Sequence, residues 1–67
     1  MNTITVNGNI IDWQDGYTVR SVLKKMNYTF KMLIVKVNGE LVKKDQYDRF
    51  AIPQDADVKV IHLIGGG

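Results

Sequence analysis

The sequence has no cysteine and only one proline, one histidine and one serine. Without cysteine there is neither a disulfide staple nor a thiolate metal site. His62 has no second histidine at ligand spacing, so no metal site is expected; it reads as a surface residue of a strand. Ser21 falls in a helical stretch, cannot complete a Ser/His/Asp set, and is expected to bond backbone or water. No apolar run approaches the ~20 residues of a membrane span. Met1 leads directly into alternating sequence rather than the apolar stretch of a signal peptide, so the expected compartment is the cytoplasm. The glycines do not sit between strand and helix as a P-loop or dinucleotide fingerprint requires. Asp12, Asp15, Asp55 and Asp57 occupy turns and strand ends, where they serve turn geometry and solvation rather than paired acid–base chemistry. These absences argue together against an enzyme.

What is present is a chain of 67 residues, 45% hydrophobic and 24% charged, a globular balance compatible with one small core. Nine Lys plus Arg against seven Asp plus Glu leave +2, too little to point to nucleic acid by itself. Lys24-Lys25 and Lys43-Lys44 are the only adjacent basic pairs.

Thr3 to Asn7 alternates polar and apolar residues, the period of a strand with one buried face. Asn7-Gly8 is hairpin chemistry, Asn9 to Trp13 reads as the returning strand, and Asp15-Gly16 ends it. The period then changes. Val19, Val22, Leu23 and Met26 share one helical face, Thr18 stands at the N-cap, and Lys24 and Lys25 suit the C-terminal dipole. Asn27 is a left-handed stop, which gives a helix of about ten residues. Leu33, Val35 and Val37 alternate with Ile34, Lys36 and Asn38 in a third strand; Asn38-Gly39 turns it into Glu40-Leu41-Val42. Lys43 to Ile52 is irregular, with Tyr47, Phe50 and Ile52 as anchors, and Pro53 and Asp55 mark a turn. In the last strand, Asp57 to Ile64, Val58 and Val60 lie on one face and Ile61 and Leu63 on the other. Such a strand is either central in its sheet or presents an apolar face to a partner.

The order is strand, strand, helix, strand, strand, strand, which predicts an α+β domain with one helix packed across a mixed sheet of four to five strands. The expected core is Ile4, Val6, Ile11, Val19, Val22, Leu23, Met26, Val35, Val37, Leu41, Val58 and Val60. Residues 1–64 are expected to form the domain and 65–67 a flexible glycine tail. Gly65-Gly66-Gly67 has no side chains to pack, and taken alone it suits a frayed terminus or the remnant of a cloned linker.

In context it suits something more specific. Ile4-Thr5-Val6-Asn7-Gly8, Asp15-Gly16 with Thr18-Val19, and Val37-Asn38-Gly39-Glu40 follow one another at fixed spacing. Asp45-Gln46-Tyr47, Asp55-Ala56-Asp57-Val58 and the final glycines complete the series. The whole chain thereby resembles the small sulfur carrier proteins of thiamine biosynthesis, which have the ubiquitin-like β-grasp fold. Members often carry Trp where Tyr47 stands and Pro near Lys43; neither position touches the chemistry of the tail. The resemblance implies a carrier rather than a catalyst. In the family the terminal carboxylate, here that of Gly67, is adenylated by an ATP-using enzyme related to the ubiquitin-activating type. Sulfur derived from cysteine by a desulfurase then displaces AMP. The resulting thiocarboxylate is delivered to the thiazole synthase. No cofactor is expected to be bound, ATP being used by the activating enzyme, and the free protein is expected to be a monomer.

Gly65 and Gly66 would be recognised by partners, and Ile61, Leu63 and Ile64 form a candidate partner-binding patch, unless the Lys43 to Phe50 segment covers Ile61 and Leu63. A sibling carrier such as the small subunit of molybdopterin synthase, or a ubiquitin-like modifier, would share the same tail. A small RNA-binding module is the rival from another class, resting on Tyr17, Tyr28, Phe30 and Lys31. A helix-to-strand connection whose aromatics cap the core explains that stretch more simply.

Overall fold

The computed structural model describes residues 2–29 and 32–63. In chain order it contains β1 (Thr3–Val6), β2 (Asn9–Asp12), α1 (Val19–Lys25), β3 (Leu33–Val37), β4 (Glu40–Val42), a short 3-10 turn (Lys44–Gln46) and β5 (Asp57–His62). Both hairpins turn on Asn-Gly as the sequence predicts. Asn7 and Gly8 have φ of 52° and 84°, and Asn38 and Gly39 have 51° and 82°. Two successive positive φ values are the signature of the turn whose twist matches that of its strands.

The sheet order is β2-β1-β5-β3-β4, so the last strand lies in the middle. β5 runs parallel to β1, with Val58 beside Val6, and antiparallel to β3 from Leu33↔His62 to Val37↔Val58. The turn asparagines also hold this strand. The Asn7 amide donates to the Val60 carbonyl at 3.0 Å and accepts from the Val60 N–H at 2.8 Å. Asn38 accepts from the Asp57 N–H through its side chain at 2.9 Å, while its own N–H donates to the Asp57 carbonyl at 2.8 Å.

The inward valines of β1, β3, β4 and β5, with Ile4, meet Val19, Val22 and Leu23 of α1; Tyr47, Ile52 and Ala56 complete the buried set. No charged side chain is buried among the described residues. Ile11 and Met26, expected in the core, sit half-buried at its margin. Tyr47, Phe50 and Ile52 anchor the irregular segment as expected.

The helix spans seven residues rather than about ten, because both ends are closed by hydrogen bonds. At its N-terminus the Val19 N–H donates to the Phe50 carbonyl and the Arg20 N–H to the Tyr47 carbonyl. The Ser21 N–H donates to Thr18 Oγ1 and the Thr18 N–H returns to Ser21 Oγ, both at 3.3 Å. Ser21 is therefore half of a capping box in the first turn, not a mid-helix residue. At the other end Asn27 takes φ 59°, and the Tyr28 N–H closes onto the Leu23 carbonyl at 2.8 Å. The Asn27 N–H onto the Lys24 carbonyl completes a Schellman stop.

Leu41 departs from the expected core and is 55% exposed, whereas Val42 is 2% exposed. The two-residue turn sets Val37 opposite Glu40, which pairs Lys36 with Leu41 and Val35 with Val42. Val42 thus shares the inner face with Val35, and Leu41 shares the outer face with Lys36. Truncating Val42 to Ala is expected to cost about 2 kcal/mol. Leu41→Ala is expected to stay within about 0.5 kcal/mol. Urea midpoints measure both, and the reverse ranking would refute this register. Thr18→Ala should cost about 1 kcal/mol by removing the cap.

Candidate functional site

β5 is the last strand among the described residues and precedes the glycine run in sequence. Ile64, Gly65, Gly66 and Gly67, named from the sequence, lie outside the described residues, as does the boundary of the tail at residue 65. Ile61 and Leu63 are described, and their side of the strand is bare: they are 48% and 39% exposed. Val58 and Val60, alternating with the outward positions, are buried. β5 is therefore both central and apolar toward solvent.

The Lys43 to Phe50 segment lies against the core instead of over Ile61 and Leu63. Tyr47 is 5% exposed within the hydrophobic cluster, and the carbonyls of Tyr47 and Phe50 are bonded to the start of α1. Arg20 lies over the Tyr47 ring, 5.5 Å from its centre, and is bonded to Asp48 at 3.0 Å.

The outer face is larger than the sequence indicates. Ile34 of β3 stands directly opposite Ile61, and the Leu63 N–H continues the pairing to the Met32 carbonyl at 3.0 Å. Met32 and Leu41 are exposed beyond them. The signal was present in the unbroken apolar run Met32 to Val35, which cannot hide both faces in a two-layer domain. Lys36 and Lys59, paired across β3 and β5, flank this apolar face, a surface of the kind that suits docking.

The other polar residues have structural work. Asp57 accepts from Thr5 Oγ1 at 3.0 Å and pairs with Lys59 at 3.7 Å. Asp55 takes the positive φ of its turn, and Asp12 and Asp15 are exposed. His62 is exposed at the end of β5, opposite Leu33. No three His, Asp or Glu side chains converge as metal ligands among the described residues. Of the aromatic and basic stretch, Tyr17 and Tyr28 pack against the core, while Phe30 and Lys31 lie outside the described residues. No described helix is long and apolar enough to cross a membrane.

Known proteins share this arrangement. The chain is 26% identical over 65 residues to the sulfur carrier protein ThiS of Bacillus subtilis, covering 96% of this chain and 98% of that protein. The crystal structure of the thiamine biosynthesis protein ThiS from Geobacter metallireducens matches with a TM-score of 0.75 at 25% identity, over 97% of this chain and 99% of that one. A solution structure of a thiamine biosynthesis protein from Geobacter metallireducens matches with a TM-score of 0.73 at 26% identity, over all of this chain and 88% of that one. The fold is accordingly the ubiquitin-like β-grasp. The sequence model of the ThiS family matches residues 2–67, the three glycines included, and the chain belongs to the ThiS family.

Proposed function

We propose that this protein is a sulfur carrier of thiamine biosynthesis, a protein co-substrate rather than an enzyme, with the Gly67 carboxylate as its reactive group. The observation that carries this reading is the reach of the family match, which runs from residue 2 through Gly65-Gly66-Gly67. Membership in this family also favours thiazole formation over the acceptor of a molybdopterin-type carrier or the lysine of a ubiquitin-like modifier.

A free carboxylate is a poor acyl donor because its negative charge repels nucleophiles and oxide is a poor leaving group. In the proposed sequence an activating enzyme joins the Gly67 carboxylate to the α-phosphate of ATP and releases pyrophosphate. A sulfur nucleophile originating from cysteine then attacks the carbonyl carbon and expels AMP, and the carrier is left with a thiocarboxylate for the thiazole synthase. Splitting one difficult substitution into two easier ones is the general logic of covalent activation. Glycine fits the task because a chain without Cβ can thread a narrow channel and bring its carbonyl against a phosphate. Ile61 and Leu63, with Ile64 next in sequence, would give the partner enzymes an apolar footing beside the tail.

The intact mass of protein purified from its native cells, without reduction or alkylation, should show a fraction heavier by the difference between sulfur and oxygen, localised to Gly67. Protein unmodified in cells and also after incubation with activating enzyme, ATP and a sulfur donor would refute the carrier reading. Gly67→Ala is expected to keep the melting temperature and to lose adenylation sharply, measured as pyrophosphate release; full activity in that variant would contradict the role of the bare glycine. Ile61→Ala and Leu63→Ala should each weaken binding to the activating enzyme while costing less than about 1 kcal/mol of stability. A large stability loss without weakened binding would return both residues to a purely structural role.

A further inference from the structure

Where β3 and β4 meet the end of α1, a groove of about 710 Å³ wraps the margin of the sheet, reaching Ile34, Leu41 and Leu63 of the outer face as well as the helix. Its floor is apolar: Leu23 from the helix, Leu33 from β3, and Val42 at the end of β4. Its rim carries Arg20, Lys24, Lys43 and Lys44, and no acidic side chain lines it among the described residues. Arg20 is committed to Asp48. Lys24, Lys43 and Lys44 form no ion pair among the described residues.

One further feature makes the groove more than a dent. β4 covers β3 only from Val35 to Val37, whereas β5 covers it from Leu33 to Val37. The side of β3 at Leu33 and Ile34 that would continue the line of β4 has no strand neighbour among the described residues. An open stretch of strand edge thus lies beside an apolar floor ringed by unpaired lysines.

We infer that this groove binds an extended acidic segment of a protein partner, its backbone lying along β3 in the line of β4. Alternate apolar side chains would enter the floor, and carboxylates on the segment would meet Lys24, Lys43 and Lys44. Strand addition supplies main-chain bonds, pockets for alternate side chains supply selectivity, and the surplus of cations selects against basic segments. Three like charges gathered around a desolvating apolar surface repel one another in the free protein, and an acidic ligand relieves that repulsion. A nucleic acid fits less well. The Tyr47 ring is buried and already faced by Arg20, Tyr28 packs against the core, and the floor is aliphatic, so the groove offers no bare aromatic platform for bases. This surface goes beyond the carrier reading and does not depend on the chemistry of Gly67.

The test uses the full chain, labelled with nitrogen-15, and a blocked seven-residue peptide alternating glutamate with valine. Two further probes are the same peptide with lysine in place of glutamate, and an oligouridine. The glutamate peptide should move the amide signals of Lys24, Leu33, Lys43 and Lys44, and its affinity should fall about tenfold between 50 and 500 mM salt, values chosen to span roughly a threefold change in screening length. The double variant Lys43→Glu with Lys44→Glu should weaken it by a further factor of about ten with the melting temperature retained, since both side chains are exposed. Equal binding of the lysine peptide would overturn the inference, as would signals moving at Lys59 and Ile61 instead, or no binding at millimolar peptide. Preferential binding of the oligouridine at the same lysines would overturn it in favour of nucleic acid. Because none of these readouts involves adenylation, failure here leaves the carrier reading standing, and failure of that reading leaves this one standing.

Discussion

Everything in this domain depends on one insertion: the last strand must slide between the first and the third. Without β5, the β1–β2 hairpin and the β3–β4 hairpin share no sheet, and α1 has no continuous surface to cover. Val58 and Val60 supply the apolar attraction, since both are buried against the helix side. The asparagines of the two tight turns supply alignment. Each takes the backbone shape its turn requires and also bonds β5: Asn7 at Val60, Asn38 at Asp57. A strand slipped by one position would leave those amides unmatched and would turn the valines outward. The hairpins therefore carry the information that places a strand distant in sequence.

The same two-layer plan explains the outer face. One helix can cover only one side of a five-stranded sheet, so the opposite side meets water. Ile34 and Ile61 stand side by side there, with Leu41, Leu63 and Met32 nearby. A chain of this size gains little stability from exposed branched residues, and their grouping supports the proposal that this face is a contact surface. At the short end of β4 that face runs on into the lysine-rimmed groove, which reaches round to the helix.

How far the sequence could be read follows from which forces act locally. The hairpins, the Thr18 cap and the Asn27 stop were legible because each is decided within a few residues by φ preferences and capping. The family was legible for a different reason, through turns and glycines at set intervals along the whole chain. Leu41 was misplaced because a three-residue strand has no alternation to read; only counting outward from the Asn38-Gly39 turn puts Val42 inside. The helix has seven residues rather than about ten, since the Thr18 capping box at one end and the closure of Asn27 and Tyr28 onto Lys24 and Leu23 at the other take the flanking residues out of it. Ile61 and Leu63 were recognised as two-sided, yet whether the segment after β4 would lie over them depends on where Tyr47 docks. No local pattern encodes that.

The parallel pairing of β1 with β5 also has a mechanical side. Because the two strands run the same way, tension between the beginning of β1 and the end of β5 drags them past each other lengthwise. The bonds from Thr5 to Ala56 and from Asn7 to Val58, together with the Asn7 amide clasp on Val60, then bear the load simultaneously instead of parting one after another. On its other side β5 is gripped along its length by β3. A pull on the chain beyond Leu63 thus falls on a strand bonded along both edges, and force-driven unfolding from that end has to break those bonds together.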